Sequence, residues 1–123
     1  MNASFDRLKA GTAAYSLAVE VYRATEGFPK REWYGLASQV RRAAFSVPAN
    51  LAEGSAKRGT AEFRRYVDIA LGSLSEVRVF LRLSRDLGML KNDDWQRIEN
   101  SAAETSKLTW GLGQALNRHR RSR

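Results

Sequence analysis

Two prolines in 123 residues, and no long alternation of apolar with polar positions, leave helix as the regular element this chain can build. Apolar residues recur instead at intervals of three and four, in segments divided by glycine and proline. The first segment runs from about Ser4 to Thr25 and carries Leu8, Gly11, Tyr15, Val19 and Tyr22 at that spacing. It stops at "EGFP", where Gly27 can cap a helix and Pro29 cannot continue one. A second helix is expected from near Lys30, with Trp33, Leu36, Val40, Ala44, Val47 and Leu51 on one face, followed by "EGSAKRG" as a loop. Thr60 is the expected N-cap of a third helix, Ala61 to about Leu87, with Glu62 in its first turn. "GML" then turns the chain, and Asp93 with Gln96 has the pattern of a capping box opening a fourth helix that ends near Asn117. Four such helices with short loops predict an all-α, up-down-up-down four-helix bundle over residues 1–117, followed by a basic tail, 118–123.

Pro48 falls in the middle of the second apolar stripe. Its ring removes the bond to the carbonyl of Ala44 and crowds that carbonyl, yet the stripe keeps phase from Val47 to Leu51. A kink therefore fits the pattern better than a termination. Ser46, Asn50 and Glu53 are the polar groups near enough to satisfy the freed backbone, and Gly54 would let the chain turn.

The composition suits one soluble domain, which at this length buries roughly 65% of its unfolded surface. No cysteine is present, so disulfides, thiolate metal sites and cysteine nucleophiles are all excluded. The N-terminal "MNASFDRLKAG" has charges where a signal peptide needs an apolar stretch, and no apolar run approaches the roughly 20 residues of a membrane span. A cytoplasmic location is expected. Net charge is +8, with Arg118, Arg120, Arg121 and Arg123 among the last six residues. Such a balance suits anionic partners, nucleic acid above all.

Placed on a helical wheel, the third segment shows more than a bundle helix needs. Phe63, Tyr66, Val67, Ala70, Leu74, Val77 and Leu81 fill one arc of about 100°, as a core requires. Ile69, Val79, Phe80, Leu83 and Leu87 fall on the roughly opposite side and mark an expected oligomer interface, with Gly72 and Ser73 permitting close helix approach. Between these faces Arg64, Arg78, Arg82 and Arg85 share an arc of about 60°. On the second helix Tyr34, Arg41 and Phe45 lie together; guanidinium groups beside aromatic rings suit phosphates and unpaired bases. The same arginines could instead pair with Glu76, Asp86 and carboxylates of a neighbouring subunit.

Catalytic signals are weak. The one histidine, His119, sits in the basic tail, where packing would not hold it as a base. No Glu-x-x-His pair exists, so a di-metal carboxylate bundle lacks its ligands. "GLGQAL", Gly111 to Leu116, lacks the strand and third glycine of a dinucleotide fingerprint; close helix packing explains it better. Asn50 with Glu53 reads as helix hydrogen bonding. No enzymatic activity, metal or cofactor is expected.

Three spaced motifs stand out between Phe28 and Val77: FP-x-x-E-x-x-x-L, then Q-x-R-R-A with S-x-P-x-N-x-A-E-G, then E-F-x-R-x-x-x-I-A-x-G-S-x-x-E. They fall on Phe28, Pro29, Glu32, Leu36, Gln39, Arg41, Arg42, Ser46, Pro48, Asn50, Glu53 and Gly54, and on Glu62, Phe63, Arg65, Ala70, Gly72, Ser73 and Glu76. This stretch closely resembles the bacterial four-helix-bundle family found in intervening sequences of large-subunit ribosomal RNA genes. That family includes relatives of the accessory variability determinant of diversity-generating retroelements. The resemblance implies an up-and-down bundle assembling as a closed homo-oligomer, typically a pentamer. The retroelement relatives are basic, contact nucleic acid and bind a reverse transcriptase, so such a protein partner is also implied.

Together these readings predict a non-enzymatic, oligomeric bundle that binds structured RNA or RNA–DNA through basic surfaces, in the manner of an accessory factor. Arg41 and Arg42, with Lys57 and Arg58 across the proline stretch, are the expected phosphate contacts. The third-helix arginines and Arg118, Arg120 and Arg121 extend the set. The alternative is a protein-interaction scaffold whose basic faces bind an acidic partner. Membrane attachment is not expected, because the basic faces lack a matching exposed amphipathic helix.

Overall fold

Local breakers set the helix boundaries, and the apolar spacing sets the faces. The structure, a computed structural model, describes the backbone of residues 3–121 and the side chains of residues 6–118. Four helices follow one another: α1, Ala3–Thr25; α2, Leu36–Ser55; α3, Thr60–Asp86; and α4, Asn92–Arg121. α1 packs on α2 and α4, and α3 packs on the same two, so the helices stand at the corners of a square in chain order. No strand occurs among the described residues. This is the up-down-up-down bundle that the segment lengths predict.

Several boundaries differ from expectation. The second helix starts at Leu36, not near Lys30. After Pro29 the chain makes a 3-10 turn, Lys30–Glu32, and Gly35 stands as the N-cap of α2. Trp33 and Tyr34 consequently lie outside α2, Trp33 with its indole N–H donating to the carbonyl of Phe28 at 3.1 Å. At the other end α2 runs on to Ser55, so Glu53 and Gly54 are helical and the loop is shorter. Gly59, at φ 86°, precedes α3, and Thr60 is the first residue inside it; no side chain caps this start. α4 begins at Asn92, and Gln96 donates to Asn100 at 3.1 Å instead of closing a capping box. Its helical backbone passes Asn117 and continues to Arg121.

The core confirms one expected face and reverses another. On α3, Phe63, Val67, Ala70, Leu74, Val77 and Leu81 are buried as the wheel predicts. On α1 the core is Ala10, Ala14, Leu17 and Val21, whereas Leu8 and Tyr15 are each 68% exposed and Tyr22 is 45% exposed. The stripe read from residue size points outward, because α1 packs on its neighbours through small residues.

α2 continues through Pro48 without leaving the helix. Around it the amide of Asn50 donates to the carbonyl of Ser46 at 2.8 Å and to the Ser46 hydroxyl at 2.9 Å. The Ser46 and Ser73 hydroxyls lie 2.8 Å apart, tying α2 to α3. The Glu53 side chain takes no part; it is exposed and its carboxylate makes no hydrogen bond among the described residues. Gly54 is not a turn residue. α3 lies directly against it: a methyl group there would stand 2.7 Å from Tyr66 Cβ and 3.0 Å from Phe63 Cδ1.

Candidate nucleic-acid interface

The candidate cations divide by what holds them. Arg41 serves the end of α1. Its Nε donates to Thr25 Oγ1 at 2.6 Å, its Nη2 reaches the carbonyl of Tyr22 at 3.3 Å, and its guanidinium lies 4.0 Å from the centre of the Tyr22 ring. A cation over the last carbonyls of a helix is favoured by the helix dipole, so this position has a structural use. Arg42 bridges to Glu76 on α3 at 3.0 Å. Phe45 stacks on Tyr22 at 6.2 Å between centroids, while Tyr34 is 95% exposed and apart from both.

The α3 arginines meet α4. Arg78 grips Glu99 at 2.6 and 2.9 Å, and Arg85 lies 4.0 Å over the Trp95 ring while pairing with Asp86 at 2.9 Å. Arg64 pairs with Asp68 at 3.1 Å and lies against Gly113, where a methyl group would come within 2.7 Å of its Nη1. Arg82 is exposed with no acidic partner among the described residues. The arc seen on the wheel is therefore largely a seam between α3 and α4, built from carboxylates 21 residues away in the case of Glu99.

The α2–α3 connection is different. Lys57, Arg58, Arg64 and Arg65 fall within nine residues, and Glu62 is the one acid among them. Lys57 lies 5.5 Å and Arg65 4.7 Å from the centre of the Tyr66 ring. Arg65 has only a 3.6 Å, exposed contact with Glu62, an arrangement that contributes little in water. Arg58 is exposed and pairs with no carboxylate among the described residues. The up-down order brings the start of α1, with Arg7, and the end of α4, with Arg118, to this same end of the bundle. Arg120 and Arg121 continue the α4 helix there, their side chains outside the described residues, as are those of His119 and Arg123.

Arg65 and Tyr66 escape attention in the sequence, where Arg65 reads as motif and Tyr66 as core. The signal that could have found them is the density of cations on both sides of the Gly59 turn. The expected interface residues Ile69, Val79, Leu83 and Leu87 are exposed at 40%, 57%, 44% and 64%. Phe80 is half-buried and packs against the chain's own core.

No group of three or more His, Cys, Asp or Glu able to hold a metal occurs among the described residues. No helix among them is long and apolar enough to cross a membrane.

Comparison with known families matches residues 6–111 to the 23S rRNA-intervening sequence protein family. Among solved structures, the chain is similar to a protein of unknown function from the S23 ribosomal protein family of Bacteroides thetaiotaomicron. The TM-score is 0.82 at 19% identity, covering 89% of this chain and 98% of that one. At that identity the likeness speaks for the fold. No curated protein matches the chain.

Proposed function

The chain belongs to the 23S rRNA-intervening sequence protein family, and we propose that it is a self-associating, non-enzymatic bundle that binds structured RNA or an RNA–DNA hybrid. The observation that carries this reading is the basic end around Tyr66. There Lys57, Arg58 and Arg65 present cations with one exposed carboxylate, Glu62, among them, and the α4 terminus adds Arg118. The family's description, which names an intervening sequence of 23S rRNA, supports RNA as the nucleic acid. Phosphates would meet these guanidinium and ammonium groups, releasing counterions, with little reading of base edges. Arg41, Arg42, Arg78 and Arg85 already have partners within the chain and belong to the scaffold that holds this end in place.

The test is fluorescence anisotropy of a labelled RNA hairpin with the intact protein and two variants. Lys57→Gln with Arg58→Gln and Arg65→Gln is expected to weaken binding about tenfold or more. Arg78→Gln with Arg85→Gln should stay within about twofold, since those groups face α4. Equal affinity of the first variant and the unaltered protein would reject this placement.

A further inference from the structure

We propose that the hollow between α3 and α4 is a binding site for a phosphomonoester dianion, carried by a free nucleotide or by the 5′ end of an RNA. Its cations are not those of the basic end, so the site stands or falls separately from the RNA reading above.

The hollow measures about 580 Å³ and is walled by Arg78, Arg82 and Arg85 of α3 and by Trp95 and Glu99 of α4. The three arginines stand on successive turns, about 10 Å from first to last at 1.5 Å per residue, so their long side chains can converge on one small anion. Two are already positioned. Glu99 holds Arg78 through its Nε and Nη2, both on one carboxylate oxygen, and the Trp95 ring carries Arg85 at 4.0 Å. Arg82 is exposed, with no acidic partner among the described residues. Held arginines lose little freedom when a ligand arrives, and the free one can close over it.

The hollow is short of acceptors. A guanidinium carries five N–H donors. Arg78 uses two on Glu99 and Arg85 one on Asp86. The Trp95 indole N–H is buried with no acceptor among the described residues, unlike that of Trp33, which reaches the Phe28 carbonyl. Neighbouring carboxylates do not make up the difference, since Glu76 is turned to Arg42 and Asp94 to Arg97. Asp86 is more than half exposed in its pair with Arg85, a contact that contributes little in water. With Arg78 neutralised by Glu99, Arg82 and Arg85 are left to meet a ligand's charge. A carboxylate or a phosphodiester brings a single negative charge. A phosphomonoester brings close to two, with three acceptor oxygens that match the guanidinium fork.

The experiment follows the indole N–H signals of the full chain by two-dimensional NMR as adenosine 5′-monophosphate is added, with adenosine as the control. Trp95→Phe identifies the signal to watch. The nucleotide should move it in a saturable way, and adenosine should not. Arg82→Gln alters an exposed group, so it should keep the fold while weakening nucleotide binding about tenfold; Arg85→Gln should act in the same direction. Lys57→Gln with Arg58→Gln and Arg65→Gln should leave the titration unchanged. RNA hairpins ending in a 5′-phosphate or a 5′-hydroxyl then separate the two sources. Tighter binding of the first, abolished by Arg82→Gln, assigns an RNA end; equal binding of both, with the nucleotide still bound, assigns a free nucleotide. A Trp95 signal that stays still at millimolar nucleotide, or a shift that survives Arg82→Gln and Arg85→Gln, would overturn the site. So would a shift lost in the Lys57, Arg58 and Arg65 variant, which would put the phosphate on the basic end instead.

Discussion

Arg41 and Arg58 carry the same charge, and their surroundings give them different uses. Arg41 is tied to Thr25 and the Tyr22 carbonyl, where it finishes α1. Arg58 has no carboxylate partner among the described residues and faces water. Sequence alone gives both as cations near a proline motif; the distinction needs the partner helix, which lies 16 residues from Arg41. Gly54 is a similar case. In the sequence it precedes a loop and reads as a turn, but α3 occupies the space a methyl group would need. Gly54→Ala should therefore lose about 1–2 kcal/mol despite alanine's better helix propensity, because Tyr66 Cβ and the α3 backbone behind it cannot rotate aside. Urea denaturation checks this, and an unchanged or raised midpoint would show that α2 and α3 separate freely.

Among the elements, α3 was legible and α1 was not. α3 carries enough large apolar residues to define a core arc, and Phe63 through Leu81 occupy it. α1 fills its core positions with Ala10 and Ala14 and displays tyrosines, so side-chain size pointed to the wrong face. The start of α2 was missed because the apolar spacing runs back to Trp33, while backbone geometry at Pro29 and Gly35 places a 3-10 turn before the helix. Near Pro48 the expected polar side chains do bond, but not to the Ala44 carbonyl that the proline leaves: Asn50 holds the Ser46 carbonyl and hydroxyl, Ser73 joins Ser46 from α3, and Glu53 takes no part. Asn50→Ala should destabilise the protein by about 1 kcal/mol by removing both amide bonds to Ser46. A lowered urea midpoint at unchanged slope is the expected result; no shift would mean that water replaces the amide at no cost.

At the scale of the molecule, the bundle's topology converts a modest local density of cations into a basic end. The start of α3, the end of α4 and the loop between α2 and α3 lie there, so Lys57, Arg58, Arg65 and Arg118 share one end of the bundle although 61 residues separate the first from the last. The sequence made the fold and the family legible because the motifs run across two packed helices. It did not separate the paired cations from the unpaired ones, because charge counted along one helix ignores the acids of its neighbour, such as Glu99 against Arg78.

Binding of RNA phosphates by this end, as proposed, must respond to salt. Its most direct test is the affinity of the unaltered protein for an RNA hairpin, measured across a series of salt concentrations. Neutralising three or more phosphates predicts that the logarithm of the affinity falls with the logarithm of salt at a slope of about −2 or steeper. Binding that is flat with salt, or absent at low salt, would rule out phosphate-driven recognition of RNA by this end.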